Sequence, residues 1–177
     1  MEELAVEKID VGPGIATFGE QYLGRTKGDT QLSYGVDTFS VETEEDGPVE
    51  EVITADTLTV TVPIEYTDVE TMAAVIPWGK IITGSGGAKK LVVGKAVGKR
   101  LSDFADKFTI HPMALAETDK SKDFTIFKCY PKPGPIQFTY SRQGTRIANV
   151  QFVAMRDSSK PEGEDYFCIG DPALVAA

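Results

Sequence analysis

Few residues in this chain could do chemistry, and they are far apart. His111 is the single histidine, and Cys129 and Cys168 are the two cysteines. A zinc site takes four such ligands, or three and a water. Three widely spaced candidates with no Cys-x-x-Cys pair do not make one. Two buried free thiols in a reducing compartment are the plain expectation. A Ser-His-Asp triad would have to use His111. Pro112 follows it and holds it extended in a strand-like run, so a structural histidine is expected.

Gly84-Ser85-Gly86-Gly87-Ala88-Lys89-Lys90 invites comparison with a phosphate loop. That motif needs Gly-x4-Gly-Lys followed by Ser or Thr, so that backbone N–H groups, lysine and hydroxyl converge on phosphate and magnesium. Counting from Gly84 puts Lys89 at the second glycine, and counting from Gly79 puts Ser85 at the lysine. A plain loop is what remains. There is no Gly-x-Ser-x-Gly elbow, and the acidic run from Glu44 lacks calcium-loop spacing, so a solvated acidic loop is expected there. Tyr66 and Trp78 read as core or interface aromatics rather than a sugar platform. No nucleophile, base and orienting group can be assembled. No catalytic residue, metal ligand or cofactor is assigned, and the chain is not expected to be an enzyme.

The elements that would position these residues are mostly strands. Over residues 57–66, Leu58, Val60, Val62, Ile64 and Tyr66 alternate with Thr57, Thr59, Thr61, Pro63 and Glu65. Period-two alternation predicts one buried and one wet face. Residues 32–43 alternate with a slip: Leu32, Tyr34 and Val36 have one parity, Phe39 and Val41 the other. One extra residue near Asp37–Thr38, a β-bulge, would restore the faces. Gly47-Pro48 marks a turn, so these runs form a long hairpin with an acidic loop at about 43–52. Val69, Met72, Ala73 and Ile76 have helical spacing, with Thr67 or Asp68 as N-cap and Pro77 past the end, predicting one short helix. Leu91-Val92-Val93 is a short strand beside a basic patch of Lys89, Lys90, Lys95, Lys99 and Arg100. Further strands are expected at 107–115, 124–130, 136–140, 146–156 and 166–169, with 136–156 forming a second hairpin around the turn at 141–145. The 177 residues, 41% of them hydrophobic, suffice for one core and show no internal linker. A single mainly β domain over 1–177 follows: a β-sandwich or barrel with one short flanking α-helix and two long hairpins.

The net charge of −9 is unevenly placed. From Gly28 to Gly79 there are twelve acids and no Lys or Arg; removing those twelve from the 27 acids leaves 15 against 18 bases elsewhere. A duplex-binding surface needs clustered cations, and this middle segment would repel nucleic acid. The N-terminal Met1-Glu2-Glu3-Leu4-Ala5 lacks the basic start and apolar run of a secretory signal. No apolar stretch approaches the ~20 residues of a membrane span. Folding in a cytosol, without a membrane anchor, is expected.

Long hairpins expose edges that pair with other chains unless charged, covered or closed. Closing such edges around a ring would leave the wet faces lining a channel. The wet face would present Asp37, Ser40, Glu42, Thr57, Thr59 and Thr61 from the first hairpin, and Gln137 and Thr139 from the second. These side chains are small, hydroxylated, amide or acidic, and none is basic. They suit a channel along which a polyanion slides; they equally suit an ordinary solvated sheet face.

The order of segments resembles the major tail tube proteins of long-tailed bacteriophages and prophages, over roughly residues 14–171. The resemblance rests on Gly24-Arg25-Thr26-Lys27-Gly28-Asp29-Thr30 leading into the first hairpin, and on the helix at 68–76. It also rests on the final strand Gly144-Thr145-Arg146-Ile147-Ala148-Asn149-Val150-Gln151-Phe152-Val153-Ala154-Met155-Arg156-Asp157 with Tyr166-Phe167-Cys168-Ile169-Gly170-Asp171 after it. It implies a virion protein assembled in the bacterial host cytoplasm, self-associating into stacked hexameric rings. Two hairpins per subunit would line a negatively charged bore through which DNA is ejected without specific binding. Tape-measure, terminator and initiator or baseplate proteins are the implied partners, and type VI secretion tubes share this design. A tail terminator or capsid decoration protein would carry the same β-rich, acidic character. The charge split adds an expectation. Glu44, Glu45, Asp46, Glu50 and Glu51 of one ring would meet Lys89, Lys90, Lys95, Lys99 and Arg100, or Arg142 and Arg146, of the next, fixing register rather than adding much affinity.

Overall fold

The computed structural model describes residues 13–25, 29–44, 47–65, 67–132, 136–139 and 147–174. The strands are β1 (Gly14–Phe18), β2 (Gln21–Arg25), β3 (Gln31–Thr43), β4 (Gly47–Ile64), β5 (Lys80–Thr83), β6 (Lys89–Val92), β7 (Asp106–Pro112), β8 (Phe124–Pro131), β9 (Gln137–Thr139), β10 (Ile147–Met155) and β11 (Phe167–Ile169). One helix, α1 (Val69–Val75), follows β4. Nine strands form one antiparallel sheet in the order β2-β1-β7-β8-β10-β4-β3, with β11 added to β8 and β9 to β10. β5 and β6 pair as a separate hairpin. The mainly β fold with one short helix is as the alternation predicts.

The core lies on one face of the curled sheet. Leu58, Val60, Val62 and Ile64 of β4 are all buried, as their shared parity requires. Across β10 the same parity buries Ala148, Val150 and Phe152, because Val150 pairs with Val62 and Phe152 with Val60. The ring of Phe152 lies 5.1 Å from that of Phe18 in β1 and 5.0 Å from that of Phe108 in β7. Three strands distant in sequence thus converge on one aromatic cluster.

The helix begins where the sequence places it. Asp68 is the N-cap: its carboxylate accepts from the Thr71 N–H at 3.0 Å and the Thr71 hydroxyl at 2.7 Å. Burial works against ionisation of Asp68, yet these bonds outweigh it and hold the carboxyl below its usual range. Thr71, Met72 and Val75 face the core, so the buried stripe is rotated from the Val69–Met72–Ala73–Ile76 spacing.

Three features differ from the sequence reading. The Gly84–Ala88 loop closes a hairpin, β5–β6, with Gly86 at φ +83° and Gly87 at φ +81° in its turn, a conformation glycine adopts without strain. β1 and β2 form a further hairpin through Gly19, at φ +58°. Five-residue strands are too short to show alternation against background. The acidic segment is mostly paired strand, with Glu50 opposite Val41 and Glu51 opposite Ser40, so the tip is narrower than a 43–52 loop.

Candidate functional site

β3 and β4 form an arm that extends well past the strand beside them. The 13 residues of β3 pair along β4, but β10 covers β4 only from Thr59 to Ile64. Residues 31–42 and 49–55 are exposed throughout. They include Tyr34, Val36, Phe39, Val49, Val52 and Ile53, with Phe39 62% and Ile53 64% exposed. β3 also ends the sheet order, so among the described residues its outer backbone edge pairs with nothing. A long, apolar, unpaired edge is the feature that monomeric β-proteins avoid.

The arm's irregularity lies between Asp37 and Thr38, as expected, but the extra residue is Thr54 on the opposite strand. The Thr54 hydroxyl bonds to the Asp37 carbonyl at 3.1 Å. The alternation of β3 therefore runs on unbroken. Leu32, Tyr34 and Val36 share the core-side face, while Phe39 and Val41 share the other with Val52 and Glu50. A second irregularity between Val41 and Glu42 leaves Val49 as an extra residue near the tip.

That register divides the expected channel-facing residues. Asp37, Thr57, Thr59 and Thr61 lie on the face turned from the core, with Gln31 and Ser33, because Gln31 pairs with Thr61 and Ser33 with Thr59. Ser40 and Glu42 fall on the opposite face. The slip expected in β3 sits in β4, so their parity is that of Tyr34. β9 sets Gln137 opposite Asn149 and Thr139 opposite Ile147, continuing the ladder across β10. The outward face gains Asn149 and Gln151, the latter directly beside Thr61. The alternation of 148–153 carried the signal for both. Up to the Thr54 irregularity this face across β3, β4 and β10 holds mainly hydroxyls, amides and the Asp37 carboxylate; beyond it the same face carries Phe39, Val41 and Val52 beside Glu50, and no described position on it is Lys or Arg.

Arg156 fastens the arm's root. Its guanidinium reaches Asp56 of β4 at 2.8 Å and Asp165 at 3.0 Å, and lies over the Tyr166 ring at 5.3 Å. The two carboxylates, Asp56 foremost, raise its proton affinity further. On the facing strand, the Tyr34 ring meets Phe167 at 5.4 Å and Tyr166 at 6.5 Å. Beyond the Thr54 irregularity no such brace exists among the described residues.

The basic candidates Lys89, Lys90, Lys95, Lys99 and Arg100 are exposed on and just after the β5–β6 hairpin. Lys89 is engaged by Glu70 of α1 at 2.6 Å, and Lys99 donates to the Trp78 carbonyl at 3.3 Å. Glu44 is exposed at the end of β3, and Glu50 and Glu51 are exposed on β4. Glu45, Asp46, Arg142 and Arg146 lie outside the described residues, as does Tyr66, and nothing is described of the Gln137 and Thr139 side chains.

One constellation was not legible in the sequence. His111 Nδ1 and Asp123 Oδ1 are 2.6 Å apart in a largely buried pair, beside a cavity of about 380 Å³ lined by Ile15, Tyr22, His111, Glu117 and Asp123. The pair orients an imidazole, but among the described residues no Ser, Thr or Cys hydrogen-bonds to it. No group of three His, Cys, Asp or Glu is placed to hold a metal among them either. Cys129 is buried in the core, where burial, helped by Asp106, pushes its thiol well above the usual range and keeps it protonated. Cys168 is only partly buried, and both thiols are free. Among the described residues no helix is long and apolar enough to cross a membrane. No protein-family model matches this chain, and no curated protein matches it.

Proposed function

We propose that this chain is a structural subunit that assembles with copies of itself into stacked hexameric rings, as a major tail tube protein of a long-tailed bacteriophage. The observation that carries the reading is the unpaired β3 edge on an arm rich in exposed apolar residues. β9, β10, β4 and β3 form a strip whose ends, β9 and β3, each have a free edge among the described residues. Head-to-tail pairing of such edges closes a ring. A barrel of that size encloses an aqueous bore. The face carrying Thr57, Thr59, Thr61, Asn149 and Gln151 would line it, and a polyanion would find hydroxyls, amides and the Asp37 carboxylate there but no cation to hold it. On this reading DNA passes without specific binding, the chain has no catalytic role, and the protein resides in the virion tail after assembly in the host cytoplasm. Tape-measure, terminator and initiator or baseplate proteins are its further partners.

Negative-stain electron microscopy of the purified chain, concentrated at moderate salt, tests the reading. Rings or hollow tubes are the expected result. Monomers under all conditions, including with seeding tubes of a related tail, would favour a decoration module instead. In assembled tubes, Thr59→Lys with Thr61→Lys should leave tube geometry unchanged but make the bore bind DNA.

A further inference from the structure

We infer that the outer face of the β5–β6 hairpin is the docking site for the arm tip of a second copy of this chain. The inference rests on the self-assembly reading and specifies where successive rings meet. From Thr71 to Ser102 the chain has no Asp or Glu, and it carries Lys80, Lys89, Lys90, Lys95, Lys99 and Arg100. The structure sorts these by face. Pairing sets Ile81 opposite Leu91 and Thr83 opposite Lys89 on one side of the hairpin. That side is occupied: Leu91 packs on the core and Lys89 binds Glu70 of α1. The other side pairs Lys80 with Val92 and Ile82 with Lys90. Ile82 and Val92 are 41% and 42% exposed, and Lys80 and Lys90 have no ion-pair partner among the described residues.

The arm tip is its complement. Phe39 pairs with Val52 and Val41 with Glu50 on one face, Ser40 pairs with Glu51 on the other, which also carries Glu42, and Glu44 follows the end of β3. Glu42, Glu44 and Glu50 likewise have no ion-pair partner among the described residues. The tip and the hairpin face thus each combine exposed apolar side chains with charge of one sign, with opposite signs on the two. Apolar contact supplies attraction, and the charges select partner and register.

Length excludes docking within one copy. The tip lies at Gly47, whereas α1, which carries the hairpin, follows the other end of β4 at Ile64. Eighteen residues of strand span roughly 55–60 Å. The complementary surfaces are at opposite ends of the chain, so the contact between copies is heterologous and propagates along one axis.

The test uses two variants of the full chain, Glu50→Lys/Glu51→Lys and Lys80→Glu/Lys90→Glu. All four positions are exposed, so both should unfold at the same temperature as the unmodified chain. Electron microscopy and sedimentation velocity should show rings from each variant alone but at least tenfold fewer stacked tubes. A 1:1 mixture should restore stacking, because each reversed surface then meets its opposite in the other variant. Equal tube lengths from the unmodified chain and from each variant alone, or no recovery on mixing, would overturn this docking site and leave ring assembly standing. No assembly at all by the unmodified chain would overturn both.

Discussion

Arg156 Nη2 lies 2.8 Å from Asp56 Oδ2, tying the end of β10 to the point where β4 leaves the core. The same guanidinium holds Asp165, and the Tyr34 ring packs against Phe167 from the facing strand. The arm therefore has a braced root, an irregularity at Thr54, and a free outer half.

Arg156→Ala should leave the unfolding temperature nearly unchanged, because the guanidinium is 56% exposed and screened by water. Its effect should be local. Amide hydrogen exchange should accelerate over residues 32–37 and 54–58 while protection of β7, β8 and β10 persists. Uniform acceleration across the sheet would show that Arg156 supports the whole fold rather than the arm.

Asp68→Ala should destabilise the chain by about 1 kcal/mol at pH 7, the usual cost of losing an N-cap. The folded-state pKa of Asp68 is lowered, so its stabilising contribution is present above the unfolded value and is lost as pH falls through the folded one. The gap between Asp68→Ala and the unmodified chain should therefore narrow as pH falls from about 4 towards about 2. A gap that stays constant over that range in urea titrations would show that the carboxylate's charge plays no part in the cap.

His111 and Asp123 should respond unequally to truncation. His111→Ala leaves the Asp123 carboxylate buried without its partner and should cost about 3 kcal/mol. Asp123→Asn retains an acceptor for the imidazole and should cost about 1–2 kcal/mol. Chemical denaturation of both variants decides the order, and the reverse order would show that the imidazole is the less dependent member.

Gly19→Ala should cost about 1–2 kcal/mol, because the residue holds φ +58° between β1 and β2. An added Cβ would also run into an Asp106 carboxylate oxygen, so that side chain must move. The double variant Gly19→Ala/Asp106→Ala should recover the steric part and not the backbone part, as measured by thermal unfolding.

The sequence by itself determined the elements whose signal is local. Alternation in Leu58, Val60, Val62 and Ile64 sets the buried face of β4 whatever packs against it, and Thr67-Asp68 ahead of the helical spacing marks a helix start, which the structure fixes at Asp68. It also placed the acidic arm and the basic segment, because charge along a chain is read directly. Tertiary structure decided what depends on a partner strand. The extra residue of the arm is Thr54 rather than one beside Thr38, since a bulge belongs to a pair of strands and either can carry it; that choice sent Ser40 and Glu42 to the face opposite Thr59. Only the fold brought Arg156 to Asp56, a hundred residues away, and His111 to Asp123. It also left Lys80 and Lys90 outward while Lys89 turned to Glu70, because a hairpin's two faces are fixed by what lies beneath it.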